Sequence, residues 1–154
     1  MKKTILSLTF FLATAFQAWS QEYKVITTIE SIVPGGIGRS RMVEEKQVSD
    51  YKSATTSRET KGDGDKQKEV DRGELKIDKF DETKMLNFYS MTGINFQNIA
   101  SNDALVTSKI NTMAAEGWDL LFVTSGVESN GGREDGEGIF ITRYIFYRKA
   151  VQNP

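Results

Sequence analysis

The chain has 154 residues with no cysteine and no histidine, and its 20 basic and 21 acidic residues give a formal net charge of −1. Without these two residue types, disulfides, Cys–His and Ser–His catalytic pairs, and zinc sites built on thiolate or imidazole are excluded. The balanced charge, with no basic excess, argues against a nucleic-acid-binding protein. Because no catalytic constellation is recognisable, we expect a protein that is not an enzyme and has no catalytic residues, metal site or cofactor.

The first twenty residues have the organisation of a signal peptide. Two lysines precede an apolar stretch from Ile5 to Phe16, and small residues then occupy the positions that a signal peptidase reads. We predict cleavage between Ser20 and Gln21 and a periplasmic or secreted mature protein of residues 21–154. The apolar stretch is short for a bilayer span, so we expect no stable membrane insertion after cleavage.

The mature chain begins with a predicted strand. Residues Tyr23 to Val33 are rich in β-branched side chains and alternate in polarity, which is typical of a strand with one buried face. The sequence PGGIG at 34–38 then predicts a turn. Arg39 to Val48 follows as a weaker candidate strand that returns along the first.

Residues 52–74 differ from the rest of the chain because almost all of them are polar or charged. Such a segment buries too little apolar surface to offset its ordering entropy, so we predict a disordered excursion within a single domain. Glu74 to Phe80 alternates again and predicts a strand at a sheet edge. Between Asp81, a possible cap, and Gly93, a possible stop, the pattern indicates a short helix, with an extended segment as the alternative.

The second half of the chain carries the clearest helix pattern. Asn102 or Asp103 can cap its start, and Gly117 stands where a left-handed terminating residue belongs. Apolar side chains recur at the spacing typical of one buried helix face, at Val106, Ile110 and Met113.

Two strands are predicted after this helix. The first places Trp118, Leu120 and Phe122 on one face, and the second, Ile139 to Lys149, is apolar on both faces and therefore central or covered by the helix. A flexible connection, 128–138, joins them into an antiparallel pair. The order of elements predicts an α+β fold of two layers, a small antiparallel sheet with one main helix packed across it.

Residues 102–148, with the sequences MAAEGWDLLFV and ITRYIFYRK, resemble a small bacterial domain-of-unknown-function family. The hallmark of that family is a helix that ends in Glu-Gly-Trp and is followed by two strands, and an initial Tyr-Lys-Val strand also belongs to its pattern. The family has no established activity, so the resemblance implies a fold and no function. The long insertion between Val33 and Asn98 departs from the compact form of the family.

The junction of Glu116, Gly117 and Trp118 is interpreted as a structural hinge. Glycine ends the helix, and the tryptophan packs beneath it, so neither needs a ligand. Glu116 opposes the helix dipole, and we expect it to pair with Arg143 or Lys109. The alternative is a functional site at the same junction.

The sequence PGGIGRSR suggests a second candidate site. Backbone N–H groups of the glycine-rich turn, together with Arg39 and Arg41, could bind an anion. The sequence matches neither the P-loop nor the dinucleotide fingerprint, and an ordinary hairpin turn is the simpler interpretation.

One strand combines four aromatic residues, which predict a core on one side and a subunit contact or binding face on the other: Phe140, Tyr144, Phe146 and Tyr147. Taken together, these features favour an exported, non-enzymatic module that binds another cell-envelope protein or a second copy of itself. The alternative is a small-ligand or anion-binding protein that uses the glycine-rich turn with Arg39 and Arg41, and a carboxylate-based enzyme ranks third.

Overall fold

The computed structural model describes residues 21–31, 40–55, 73–127 and 139–149. The predicted signal peptide, the glycine-rich turn, the 128–138 connection and most of the predicted disordered excursion lie outside the described residues. Those predictions therefore stay predictions. In the described part of the chain, no helix is long and apolar enough to cross a membrane.

The described residues form seven strands and one main helix. In chain order they are β1 (Gln21–Ser31), β2 (Arg41–Glu45), a 3-10 turn (Tyr51–Ala54), β3 (Phe80–Lys84), β4 (Tyr89–Ser90), β5 (Gly93–Ile94), α1 (Phe96–Ala115), β6 (Asp119–Val127) and β7 (Ile139–Lys149). Five strands form an antiparallel sheet in the order β3-β2-β1-β7-β6, and β4 pairs with β5 in a separate hairpin. The predicted α+β fold is confirmed, as is the antiparallel pairing of the last two strands.

One face of α1 lies against the sheet and forms the core. Val106, Ile110 and the buried Met113 of the helix pack with Ile26 of β1 and Phe146 of β7. These helix residues are the ones that the apolar spacing predicted. The same cluster is completed by Met42, Met85 and Trp118, which come from β2 and from the segments that flank β3 and α1.

The helix begins earlier than the sequence predicted. Its N-cap is Asn95, whose side-chain oxygen accepts a hydrogen bond of 3.1 Å from the Asn98 N–H. Asn102, a predicted cap, is instead buried inside the helix. Its side chain accepts a hydrogen bond from the Leu86 N–H at 2.8 Å and donates one to the Leu86 carbonyl at 2.7 Å. The cap prediction was wrong because Asn102, although asparagine favours helix caps, uses its side chain to hydrogen-bond the backbone of Leu86, which precedes the helix.

The segment before α1 is extended, as the alternative interpretation held. The strand predicted at 74–80 begins only at Phe80, and Asp81 lies within β3 instead of capping a helix. Pairing with β2, from Glu45 opposite Phe80 to Arg41 opposite Lys84, fixes this extended conformation because it gives hydrogen-bond partners to the backbone groups of β3 that face β2. Gly93, the predicted helix stop, has φ of +117° in the β4–β5 hairpin.

A β-bulge changes the expected faces of β6. Leu120 lies opposite Phe146, but Phe122 lies opposite Ile145, the next residue of β7. The extra residue in β6 therefore puts Leu120 and Phe122 on opposite faces of the sheet. The predicted common face of these two residues was wrong for this reason.

Candidate functional site

The Glu-Gly-Trp junction ends α1 with a Schellman arrangement. Gly117 has φ of +81°, and its N–H donates to the Ala114 carbonyl at 3.0 Å. The Trp118 N–H donates to the Met113 carbonyl, also at 3.0 Å. Trp118 is only 6 % exposed and belongs to the core, so each of these two residues has a structural explanation.

Glu116 does not make either of the expected ion pairs. It is exposed at the end of α1, while the Lys109 ammonium lies 2.6 Å from a carboxylate oxygen of Glu44. Arg143 follows the alternation of β7 onto the face opposite Tyr144, which packs against the core below α1. The helix end and Arg143 are therefore separated by the sheet.

Glu44 is the centre of a charged cluster that the sequence did not reveal. Its side chain is buried on the helix side of β2, and three lysine ammonium groups lie 2.6–3.1 Å from its oxygens: Lys24, Lys46 and Lys109. Burial by itself raises the pKa of Glu44, but the hydrogen bonds from Lys109, Lys24 and Lys46 outweigh it and lower the pKa to about 2. The carboxylate is thus ionised at neutral pH and joins β1, β2 and α1.

The same cluster extends to Trp118 and to the first residues of β1. The Lys24 ammonium lies 5.4 Å and the Arg148 guanidinium 4.2 Å from the centre of a Trp118 ring, within cation–π distance. Arg148 also donates to a Glu22 carboxylate oxygen at 2.8 Å. Each of these charged groups has a partner within the fold, which favours a structural role for the cluster.

A cleft of about 770 Å³ lies beside this cluster. Over Ile26–Ile29, β1 pairs with β2, but its first five residues, 21–25, pair with β7 alone among the described strands. The cleft lies where the chain after β2 separates from β1, and its lining includes Tyr23, Val48, Ile77 and Trp118. Its charged lining is close to neutral, with Lys24, Lys46 and Arg148 against Glu22 and Glu45.

Of the proposed anion-binding pair, only Arg41 is described. Its guanidinium donates to a Glu82 carboxylate oxygen on β3 and, at 2.8 Å, to the Ser40 carbonyl. Arg39 lies outside the described residues. Arg41 is therefore occupied by a cross-strand partner, although its pair with Glu82 is exposed.

The sheet face away from α1, here called the open face, carries a second set of apolar side chains. By strand alternation it includes Val25, Thr27 and Ile29 of β1 and Val43 of β2, together with Ile141, Ile145 and Tyr147 of β7. No helix or strand of the described ranges covers it. An apolar depression of about 300 Å³ lies on this face and is lined by Val25, Thr27, Val43, Glu45, Ile77 and Phe80.

The four aromatic residues of β7 divide between the two faces. Phe146 is buried in the core and Tyr144 packs against it, while the Phe140 ring lies 5.7 Å from that of Phe88 on the helix side. Tyr147 is half-buried on the open face. The predicted core on one side of β7 is confirmed, and the predicted subunit contact or binding face on the other side stays a prediction.

Across the part of the chain that the structure describes, no group of three or more His, Cys, Asp or Glu side chains could hold a metal ion. Comparison with known proteins found no matching family model, no matching curated protein and no matching solved structure. The resemblance of residues 102–148 to a domain-of-unknown-function family therefore stays a proposal.

Proposed function

We propose that this protein is an exported, non-enzymatic module that binds another protein of the cell envelope through the open face of its sheet. The observation that carries the proposal is the apolar depression of about 300 Å³ on that face. Contiguous apolar surface on a soluble protein is typical of an interaction site. A partner would insert an apolar side chain between Val25, Val43 and Phe80.

The distribution of charge supports a binding role over a catalytic one. Catalytic sites bring titratable groups with shifted pKa values to a substrate-accessible cavity. Among the described carboxyls, Glu44 has the most strongly shifted pKa, and it is buried and hydrogen-bonded to lysines that connect it to the rest of the fold. Among the described residues that line the depression on the open face, Glu45 is the single charged one, so the depression offers apolar contact instead of acid–base chemistry.

Site-specific photocrosslinking in the producing cells tests this proposal. A benzoylphenylalanine at Thr27, which lies between Val43 and Arg143 in the middle of the open face, should give a discrete adduct with a different protein. The matched control carries the same residue at Asn111, which is exposed on α1. Equal adducts from both positions, or none from Thr27, would reject the open face as the binding surface.

A further inference from the structure

The two edges of the five-stranded sheet are built differently. At one edge, β3 has only five residues, Phe80–Lys84, and three of them are charged. Short length and charge are the features by which natural proteins prevent unwanted pairing at an edge. At the other edge, β6 has nine residues, Asp119–Val127, and its single charge is at its first position. Among the described strands, β6 pairs with β7 alone, so its outer backbone groups have no strand beside them.

Every residue of β6 is exposed, and more than half of its side chains are large and apolar, with members on both faces of the sheet. Five large apolar residues have exposed fractions from 42 % to 60 %: Leu120, Leu121, Phe122, Val123 and Val127. Among the described residues, the buried core beneath α1 includes side chains of β1, β2 and β7 and none of β6. The bulge lies between Leu120 and Phe122, so the pairing from Val123 to Val127 is regular. An exposed, apolar strand of this length is a template for another strand.

We propose that β6 pairs with β6 of a second copy of the chain, antiparallel, to form a dimer with one continuous ten-stranded sheet. A two-fold axis perpendicular to the sheet brings identical residues together, which is the self-complementary geometry of most homodimers. Asp119 then lies near the Val127 end of the other β6, so the two acidic groups are far apart. The nine residues of β6 span roughly 30 Å, and pairing along them provides a ladder of backbone hydrogen bonds that is interrupted at the bulge of each copy.

The dimer also covers apolar surface that the single chain exposes. Both copies of α1 lie on the same side of the joined sheet, and Leu120, Val123 and Val127 of each copy form a strip between the helices. Pairing through one strand buries less than the about 800 Å² per partner of a standard interface, so we expect a dissociation constant on the order of micromolar. This proposal uses a different surface from the open face, and either can fail without the other.

Sedimentation velocity of the purified protein, over a concentration range from about 1 to about 100 µM, measures the dimer directly. The native protein should shift from monomer to dimer over this range. V123K, which places two ammonium groups at the joined edges, should remain monomeric. T83K is the matched control, since it adds the same charge to β3, the opposite edge, on the same face, and its dimer should persist.

Cysteine substitution supplies a second measurement, which tests the dimer even if V123K does not fold. The chain has no cysteine of its own, so a single introduced thiol reports one contact. Among V123C, T124C and S125C, the variant nearest the two-fold axis should form a disulfide-linked dimer under mild oxidation, whereas T83C should not. A protein that stays monomeric throughout, or a dimer that cross-links through position 83 and not through β6, overturns the proposal.

Discussion

Glu44 and Lys109 are joined by a hydrogen bond of 2.6 Å between Oε2 and Nζ, which ties the middle of β2 to the helix above it. The two residues are 65 positions apart in sequence. The Lys24 and Lys46 ammonium groups lie 2.9 and 3.1 Å from the same carboxylate. This one buried side chain therefore connects three elements of both layers.

We predict that Glu44 makes the stability of the fold sensitive to acid. Its folded pKa of about 2 lies below the ordinary 4.5, so its contribution is present above pH 4.5 and is lost as the pH falls towards 2. At 1.36 kcal/mol per pKa unit, the contribution is roughly 3 kcal/mol. E44Q should lose about this much at pH 7 and show a flatter pH profile in denaturant titrations.

The neighbouring residue provides the control for this experiment. Glu45 lies on the open face, where it lines the apolar depression, and E45Q should change the free energy of unfolding by less than about 0.5 kcal/mol. Equal effects of E44Q and E45Q at pH 7 would show that the lysine cluster contributes nothing specific.

Trp118 should dominate the stability of the core and report on it. Truncation of a buried aromatic side chain to alanine costs about 3–5 kcal/mol, so W118A should be severely destabilised, and W118F much less. The other tryptophan, Trp19, belongs to the predicted signal peptide, so the mature protein carries one. Its fluorescence should be blue-shifted in the native state and shift red in a single transition with denaturant. Native emission at the solvent-exposed maximum would contradict the burial of the indole.

Gly117 should be intolerant of side chains for conformational reasons alone. Nothing lies within 4 Å of a Cβ built at this position, but its φ of +81° disfavours any L-residue. We expect G117A to cost about 1–2 kcal/mol and G117V more. Gly126 also has open space around its Cβ position and no positive φ, so G126A is the control and should be close to neutral. Similar thermal unfolding of G117A and G126A would argue against a left-handed helix end.

Asn102 and Asp103 should behave differently, although both residue types favour caps. N102A removes both part-buried bonds to Leu86 and leaves the Leu86 N–H and carbonyl without this side-chain partner, at a cost of about 1–3 kcal/mol. D103A, at an exposed position, should have little effect on the denaturant midpoint. If D103A were the more damaging change, the helix would start where the sequence pattern suggested.

The strongest local patterns predicted the framework of the fold. The continuous apolar character of 139–149 predicted a strand that is central or covered by the helix, because a strand buried on both faces needs so many apolar residues. The spacing of Val106, Ile110 and Met113 likewise identified the buried face of α1. Gly117 was recognisable because few residues adopt a positive φ without strain.

Features that depend on distant partners were not predictable in the same way. Every residue of β3 is exposed and its sequence FDETK has no strand pattern, so only pairing with β2 defines it. The lysine cluster was missed because Lys24, Lys46 and Lys109 are separated in sequence and each is unremarkable alone. The only local signal for this cluster in the sequence is the two-residue spacing of Met42 and Glu44, which places both side chains on the same face of β2, where both are buried. The open face and the exposed edge at β6 likewise emerge only once the sheet order is known.

The pairing of β1 with β7 has a consequence for how the chain folds. These are the first and last described strands, and they pair along all eleven residues at the middle of the sheet. Ile26 and Phe146, which both belong to the buried core, lie on these two strands, so no core can close around the helix before residues 139–149 have been synthesised. Such non-local topology slows folding relative to a helical protein of the same size. A nascent chain on the ribosome thus cannot complete this sheet until residues 139–149 have been synthesised and β7 pairs with β1.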